Sequence, residues 1–205
     1  MNCPLCKQFG APFYNEGFYT CSNCAGIYKN KKDYLCESSE ISRYREHNND
    51  VNDKGYQDFV FPITNCVLTN FKPTHSGLDF GCGTAPVISK LLGDNEYTIH
   101  QFDPFFSNNV SLLNETYDYI ICCEVIEHFQ KPDQEFELLY NMLKPHGKLI
   151  CMTHIYDETI DFKNWYYKND PTHVFIYRQE TIDFISDAYR FTNVEINNRL
   201  IVFKK

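Results

Sequence analysis

Three groups of residues in this 205-residue chain are of types and spacings that could carry chemistry. The first stands at the start, where Cys3 and Cys6 (CPLC) and Cys21 and Cys24 (CSNC) flank the stretch FGAPFYNEGFYT. Two residues between cysteines let a tight turn aim both thiolates, with backbone N–H groups behind them, at one ion. Two such knuckles complete a tetrahedron of four thiolates, so zinc is the expected ligand of Cys3, Cys6, Cys21 and Cys24. A redox dithiol and four merely buried cysteines are the alternatives. A segment this small needs the ion simply to fold, so the signal speaks for metal and says little about function.

The second group is histidine: His128 in EVIEHF, His154 in CMTH and His173 in DPTHVF. Imidazole exchanges protons near neutral pH, which makes each a candidate general base, with a structural hydrogen bond as the competing role. Asp170 and the pair Tyr166–Tyr167 are near enough in sequence to orient His173, which is therefore the preferred base. Glu124, Glu127 and His128 together suggest a metal site, but glutamates at i, i+3 on a strand-to-helix turn point first to helix capping. The third group is GLDFGCGTAP, Gly77–Pro86, where seven of ten residues are small. Small side chains beside a strand imply that a nucleotide-like cofactor passes close to the backbone.

The elements that must position these groups come from hydrophobic patterning. FGAPFYNEGFYT reads as a hairpin, giving a zinc ribbon over residues 1–36. Residues 37–75 are polar and mixed; ISRYREHNN and GYQDFVFPITNCVLTNF read as helices of a connecting segment, in which Tyr44, His47 and Asn48 could close as a lid. From residue 76 to 205 strand and helix alternate: GLDF, then APVISKLLG; YTIHQFD; YDYIICCEVI, then DQEFELLYNMLKP; KLICMTH, then RQETIDFISDAYRF; and a closing hairpin-like pair in VEINNRLIVFKK. Apolar strands with helices between them imply an α/β, doubly wound, mostly parallel sheet. Ligands of such sheets sit outside the carboxyl ends of the strands, which puts all three histidines near one mouth.

The glycine spacing distinguishes two cofactors. A dinucleotide loop wants G-x-G-x-x-G, and the third glycine position here is Pro86. The alternative, an acid two residues before G-x-G-x-G, is met by Asp79, Gly81 and Gly83, with Ala85 at the last position. This stretch resembles the first motif of the class I S-adenosylmethionine-dependent methyltransferases. YDYIICCEVIEHF resembles that family's fourth-strand motif, and LKPHGKLICMTH its turn into the fifth strand, with His146 replacing a glycine. The resemblance implies the Rossmann-like methyltransferase fold and S-adenosylmethionine held by Asp79, Gly81, Cys82, Gly83, Asp103, Pro104, Phe105, Cys123 and Glu124. In it Asp103 takes both ribose hydroxyls. The family's usual third strand and acidic adenine loop have no counterpart in PFFSNNVSLLNE, so Phe105 or Phe106 is expected to pack on the adenine, with backbone near Ser111–Leu113 at its edge. RYREHNND, FDPFF and WYYKNDPTHVFIY also resemble a group of small bacterial methyltransferases that carry an amino-terminal zinc segment.

Composition narrows the acceptor. Lys+Arg 19 against Asp+Glu 27 gives a net charge of −8, a surface that repels phosphate backbones. The apolar run YIICCEVI is too short to cross a bilayer and no charged-then-apolar leader opens the chain, so a cytoplasmic protein is expected. Ten cysteines without a secretion signal argue against a disulfide framework. Tyr 15 and Phe 17 suit a pocket for a part-apolar ligand, so the expected partner is a small-molecule methyl acceptor. A zinc segment ahead of such a domain also resembles the sugar C-methyltransferases, which implies a nucleotide-linked sugar as one candidate. Two other functions compete: an RNA or protein methyltransferase docking through the ribbon, supported only by Lys29–Lys32 beside Tyr28 and Tyr34, and a non-catalytic binding module in which Ala85 and the missing loop mark lost cofactor binding.

Overall fold

The computed structural model describes residues 1–15, 17–46 and 50–205. His47 and Asn48 of the expected lid lie outside the described residues. The main body is a six-stranded sheet in the order β5-β4-β6-β7-β10-β9. Its strands are β4 (Gly77–Phe80), β5 (Ile99–Phe102), β6 (Tyr117–Cys123), β7 (Leu143–Met152), β9 (Asn193–Asn197) and β10 (Leu200–Lys204). The first four run parallel, and β10 then pairs antiparallel with both β7 and β9. This is the doubly wound, mostly parallel sheet expected from the alternation of apolar runs.

Successive side chains of a strand point to opposite faces, and the strands exploit this on both sides. From β7, Leu149 and Cys151 enter one core with Phe136, Leu139 and Met142 of α4 (Pro132–Met142) and Ile182 and Ile185 of α5 (Gln179–Ala188). Ile150 and Met152 enter the other, against Val60, Ile63 and Val67 of α2 (Lys54–Asn70) and Val87, Ile88 and Leu92 of α3 (Val87–Gly93). Between β5 and β6 the chain makes only a 3-10 turn, Val110–Asn114, so β5 is the sheet edge. The strand absent from the sequence pattern has no counterpart among the described residues.

The amino-terminal segment forms β1 (Gly10–Tyr14), β2 (Phe18–Cys21) and β3 (Ile27–Lys29), the first two being the expected hairpin. What the sequence did not disclose is the fourth strand of this small sheet, β8 (Phe175–Ile176), which pairs Ile27 with Ile176 and Tyr28 with Phe175. The contact is close: a Cβ on Gly26 would come within 2.4 Å of the Phe175 ring. Cys3, Leu5, Cys21, Cys24 and Tyr28 belong to the same buried cluster as α4 and α5. The ribbon is thus packed into the main body. Lys29, 9% exposed, donates from Nζ to the carbonyls of Asp170 (3.2 Å) and Pro171 (3.1 Å), and its own N–H donates to Val174 O. Helix α1 (Glu37–Arg45) begins four residues before the ISRYREHNN pattern and crosses to the same region, where Arg43 meets Asp170 at 2.9 Å.

Candidate active site

The carboxyl ends of the parallel strands open on one cavity of 1180 Å³. At the end of β4 the chain turns through Gly81 and Gly83 at φ 80° and 65°, a region that only glycine enters at little cost. A Cβ on Gly81 would meet Val125 at 2.5 Å, whereas a Cβ on Gly83 would meet nothing within 4 Å. The space over Gly83 belongs to the cavity. Ala85 is not among the residues with left-handed backbone, so its methyl is compatible with the turn. Asp79 stays beneath the loop, 3% exposed, and accepts a hydrogen bond from the Ser89 hydroxyl at 2.9 Å; it does not line the cavity. Burial pushes its carboxyl up to about 7; the Ser89 bond opposes this and the charge of Asp103 adds to it.

Asp103, directly after β5, ties the loop together. One carboxylate oxygen accepts from Gly83 N (3.0 Å), the other from Phe105 N (2.8 Å) and Phe106 N (3.0 Å). A carboxylate has about four lone-pair sites, so three backbone donors leave room for about one more, where the sequence reading expected two ribose hydroxyls. Gly81, Cys82, Gly83, Asp103, Pro104, Phe105, Cys123 and Glu124 all line the cavity, as do Phe106 and Leu113. Tyr44 of α1 leans over it, 6.0 Å from the Phe105 ring and edge-on to His128 at 5.4 Å.

The histidines separate. His128 and His173 line the cavity with ring centroids 4.9 Å apart, while His154 lies outside its lining among Trp165, Tyr166 and Tyr167. Asp170 also lines the cavity but does not orient the His173 ring as expected. Its carboxylate is taken by Thr172 N, the Thr172 hydroxyl and Arg43. Burial alone would raise the Asp170 carboxyl, yet those hydrogen bonds hold it well below the usual carboxylate range. The ring is oriented instead by the backbone: His173 Nδ1 lies 2.7 Å from Tyr167 O, and His128 Nδ1 lies 3.1 Å from Thr172 O. Carbonyl oxygens only accept, so both Nδ1 atoms carry a proton, and the neutral form of either ring has its lone pair on Nε2. Burial pushes His173 down to about 4, so its ring is neutral at pH 7 and a weak proton acceptor, contrary to a base poised near neutrality.

Glu124 and Glu127 do not cap a helix either. Glu124, left-handed at φ 51°, receives Arg199 Nη2 on both carboxylate oxygens at 2.7 Å. Glu127 is wholly buried and accepts from the Tyr167 hydroxyl (2.5 Å) and the Thr153 hydroxyl (3.1 Å). Tyr167, expected beside His173, holds that ring by its carbonyl rather than its hydroxyl. Thr153, Arg43 and Arg199 carry no site signal in the sequence beyond the charge of Arg199 inside an otherwise apolar closing hairpin.

A family model described as a methyltransferase domain matches residues 44–196. The chain belongs to that family. Solved structures with the same fold include a SAM-dependent methyltransferase from Archaeoglobus fulgidus (TM-score 0.57, 17% identity, 73% of this chain and 94% of that one). Magnesium protoporphyrin IX methyltransferase from Synechocystis PCC 6803, with bound SAH, aligns at TM-score 0.59 and 14% identity over 82% of this chain and 95% of that one. An O-methyltransferase family protein from Burkholderia thailandensis aligns at TM-score 0.55 and 10% identity; there this chain covers 61% of the other's length, and 80% of its own is covered. No curated protein matches the sequence.

In this methyltransferase-family chain the four ribbon cysteines converge. Their sulfurs all lie within 4.8 Å of one another, with Cys3–Cys24 at 3.6 Å and Cys6–Cys21 at 3.3 Å, near the spacing of tetrahedral ligands about 2.3 Å from zinc. The two knuckles are copies: Lys7 N donates to Cys3 O and Ala25 N to Cys21 O, both at 3.0 Å, with Lys7 and Ala25 at φ 63° and 57°. Backbone N–H groups of Leu5, Cys6, Gln8 and Gly26 point at the sulfurs of Cys3, Cys6 and Cys24, a contribution toward thiolates that works against the burial and the neighbouring sulfurs that push Cys6 and Cys24 up. Among the described residues no helix is long and apolar enough to cross a membrane.

Proposed function

We propose that this chain is an S-adenosylmethionine-dependent methyltransferase acting on a small organic acceptor, with a structural zinc ion held by Cys3, Cys6, Cys21 and Cys24. The observation that carries the reading is the Gly81–Gly83 turn: a glycine-only backbone, pinned by Asp103, with open space where Gly83 lacks a side chain. Bound there, S-adenosylmethionine supplies a methyl group on a sulfonium, which an acceptor displaces in line. The chain's part is mainly alignment, which can contribute about 7–11 kcal/mol toward such a step. Gly83 and Asp103 hold the adenosine end, with Phe105 against the base. Cys123 and Glu124 flank the transfer point, and His128 and His173 offer Nε2 lone pairs that orient a donor group of the acceptor. Tyr44, Phe59 and Tyr166 reduce the water at the mouth.

A small acceptor is favoured over a polyanion because the basic stretch Lys29–Lys32 loses its first member: Lys29 is buried on carbonyls and contributes nothing to a surface patch. Titration calorimetry with S-adenosylmethionine tests the reading. Binding to the parent, lost in Gly83→Val and weakened at least about tenfold in Asp103→Asn, is expected, since a charge-assisted bond is worth roughly 1.5–3 kcal/mol. A parent chain that does not bind the compound overturns it.

A further inference from the structure

Glu127 is an electrostatic anomaly. Its side chain is 0% exposed, and both carboxylate oxygens act as acceptors, from Tyr167 and from Thr153. Among the described residues no Lys, Arg or His forms an ion pair with it: Arg199 is committed to Glu124, and Arg43 to Asp170 and Glu46. Buried charges are paired or coordinate metals, because an isolated one loses several kcal/mol of solvation. Arg199 feels the charge of Glu127 but forms its ion pair with Glu124, so among the described residues no cation lies against the Glu127 carboxylate itself.

Two side chains stand where such a charge would sit. One ligand atom each of Glu127, His128 and His173 falls within a sphere of mutual distances no greater than 4.8 Å, the reach of ligands around one ion. The imidazoles are prepared as metal-binding histidines are, with the far nitrogen fixed on a carbonyl and the near one left with a lone pair. Among the described residues neither Nε2 has a hydrogen-bonding partner. Tyr167 serves two of the three at once, its carbonyl holding His173 and its hydroxyl holding Glu127. Acidic side chains also gather at the cavity, where Glu40, Asp103, Glu124, Glu135 and Asp170 stand against Arg43, Lys131 and Arg199, although burial raises the Glu124 and Glu135 carboxyls to about 8 and about 6.

We propose that Glu127, His128 and His173 form a second metal site, separate from the ribbon, that takes a divalent first-row transition ion at the floor of the cavity. Two imidazoles and one carboxylate suit manganese, iron or cobalt better than magnesium, and three protein ligands leave positions of a six-coordinate ion for oxygen atoms of an acceptor. On the methyl-transfer reading, on which this last role rests, the ion binds a hydroxyl of the acceptor, draws off its proton and makes oxygen the methylated atom. The lone pairs of His128 and His173 are then engaged by the metal, and the proton leaves to water at the open mouth.

Manganese distinguishes this site from the ribbon, because thiolate sites favour softer ions. The zinc-loaded full chain is titrated with Mn2+ and the free-ion signal is followed by electron paramagnetic resonance. About one Mn2+ per chain is expected, with nitrogen modulation from imidazole in pulsed spectra. His128→Ala should weaken binding more than about tenfold, and Tyr167→Phe, which removes only the hydroxyl on Glu127, by about 10–100-fold. No Mn2+ binding, binding without nitrogen coupling in the parent, or equal binding by folded His128→Ala each overturns the proposal. The nitrogen signal needs no variant, so it decides the case even where a substitution unfolds the chain. S-adenosylmethionine calorimetry without Mn2+ reports the methyl-transfer reading separately, so either idea can fail alone.

Discussion

Asp79 offers a test in which the fold itself supplies the magnitude. Its carboxyl is 3% exposed, receives one hydroxyl bond, and is raised from 3.8 to about 7 chiefly by burial. The raised value means that the fold prefers the neutral acid. The unfolded chain ionises near 3.8, so between there and about 7 the unfolded state holds fewer protons than the folded one, and stability falls as pH rises. At about 1.36 kcal/mol per unit over a gap of 7 − 3.8, the total loss is about 4 kcal/mol, of which about 3 kcal/mol falls between pH 5 and pH 8. Asp79→Asn removes the charge and keeps an acceptor for Ser89. Other groups titrate in both proteins and cancel in the comparison. Urea unfolding of parent and variant at pH 5, 6, 7 and 8 should therefore show the variant gaining about 3 kcal/mol on the parent across the series. Parallel curves would mean that Asp79 is ionised throughout and that a cation or water shields it, refuting the reasoning.

Other outcomes follow from the same geometry. Gly83→Ala should lose about 1–2 kcal/mol for its left-handed backbone yet fold, since its methyl meets no protein atom, while Gly81→Ala should lose more by collision with Val125; urea midpoints order the two. His146 is exposed at φ 67° where the resembling motif has glycine, so His146→Gly should gain up to about 1 kcal/mol, read as a higher melting temperature. Elemental analysis should find about one zinc per chain in the parent and none in Cys21→Ser/Cys24→Ser. Because β3 pairs with β8, removing that zinc should also raise proteolytic cleavage around Asp170–His173; cleavage confined to residues 1–36 would show the two regions to be uncoupled.

Local signals made much of this legible. The cysteine doublets, the glycine turn and the alternation of apolar strands with helices are encoded within short windows; the doublets converge on one another, and the glycine turn lies at the carboxyl end of β4 as expected. The polar wiring was not local. His173 takes its orientation from the backbone carbonyl of Tyr167, which no side-chain type can announce, and Asp170, the obvious candidate, is occupied by Thr172 and Arg43. Glu124 and Glu127 resemble caps by spacing, but Arg199 and Tyr167 reach them across 75 and 40 residues of chain. A two-residue strand such as β8 carries too little periodicity to be seen before its partner is known.

That short strand has a consequence for how the molecule is born. On a ribosome the cysteine knuckles and β3 emerge well before Phe175 and Ile176, so the edge of β3 waits for its partner while the whole parallel sheet is made. Until then β3 exposes unpaired N–H and C=O groups, a template for joining another nascent chain. Early capture of zinc by the knuckles would keep the rest of the ribbon ordered during that interval. Truncated products ending before Phe175 should accordingly precipitate, and scarcity of zinc during synthesis should lower the yield of soluble protein more than its later removal from the finished fold.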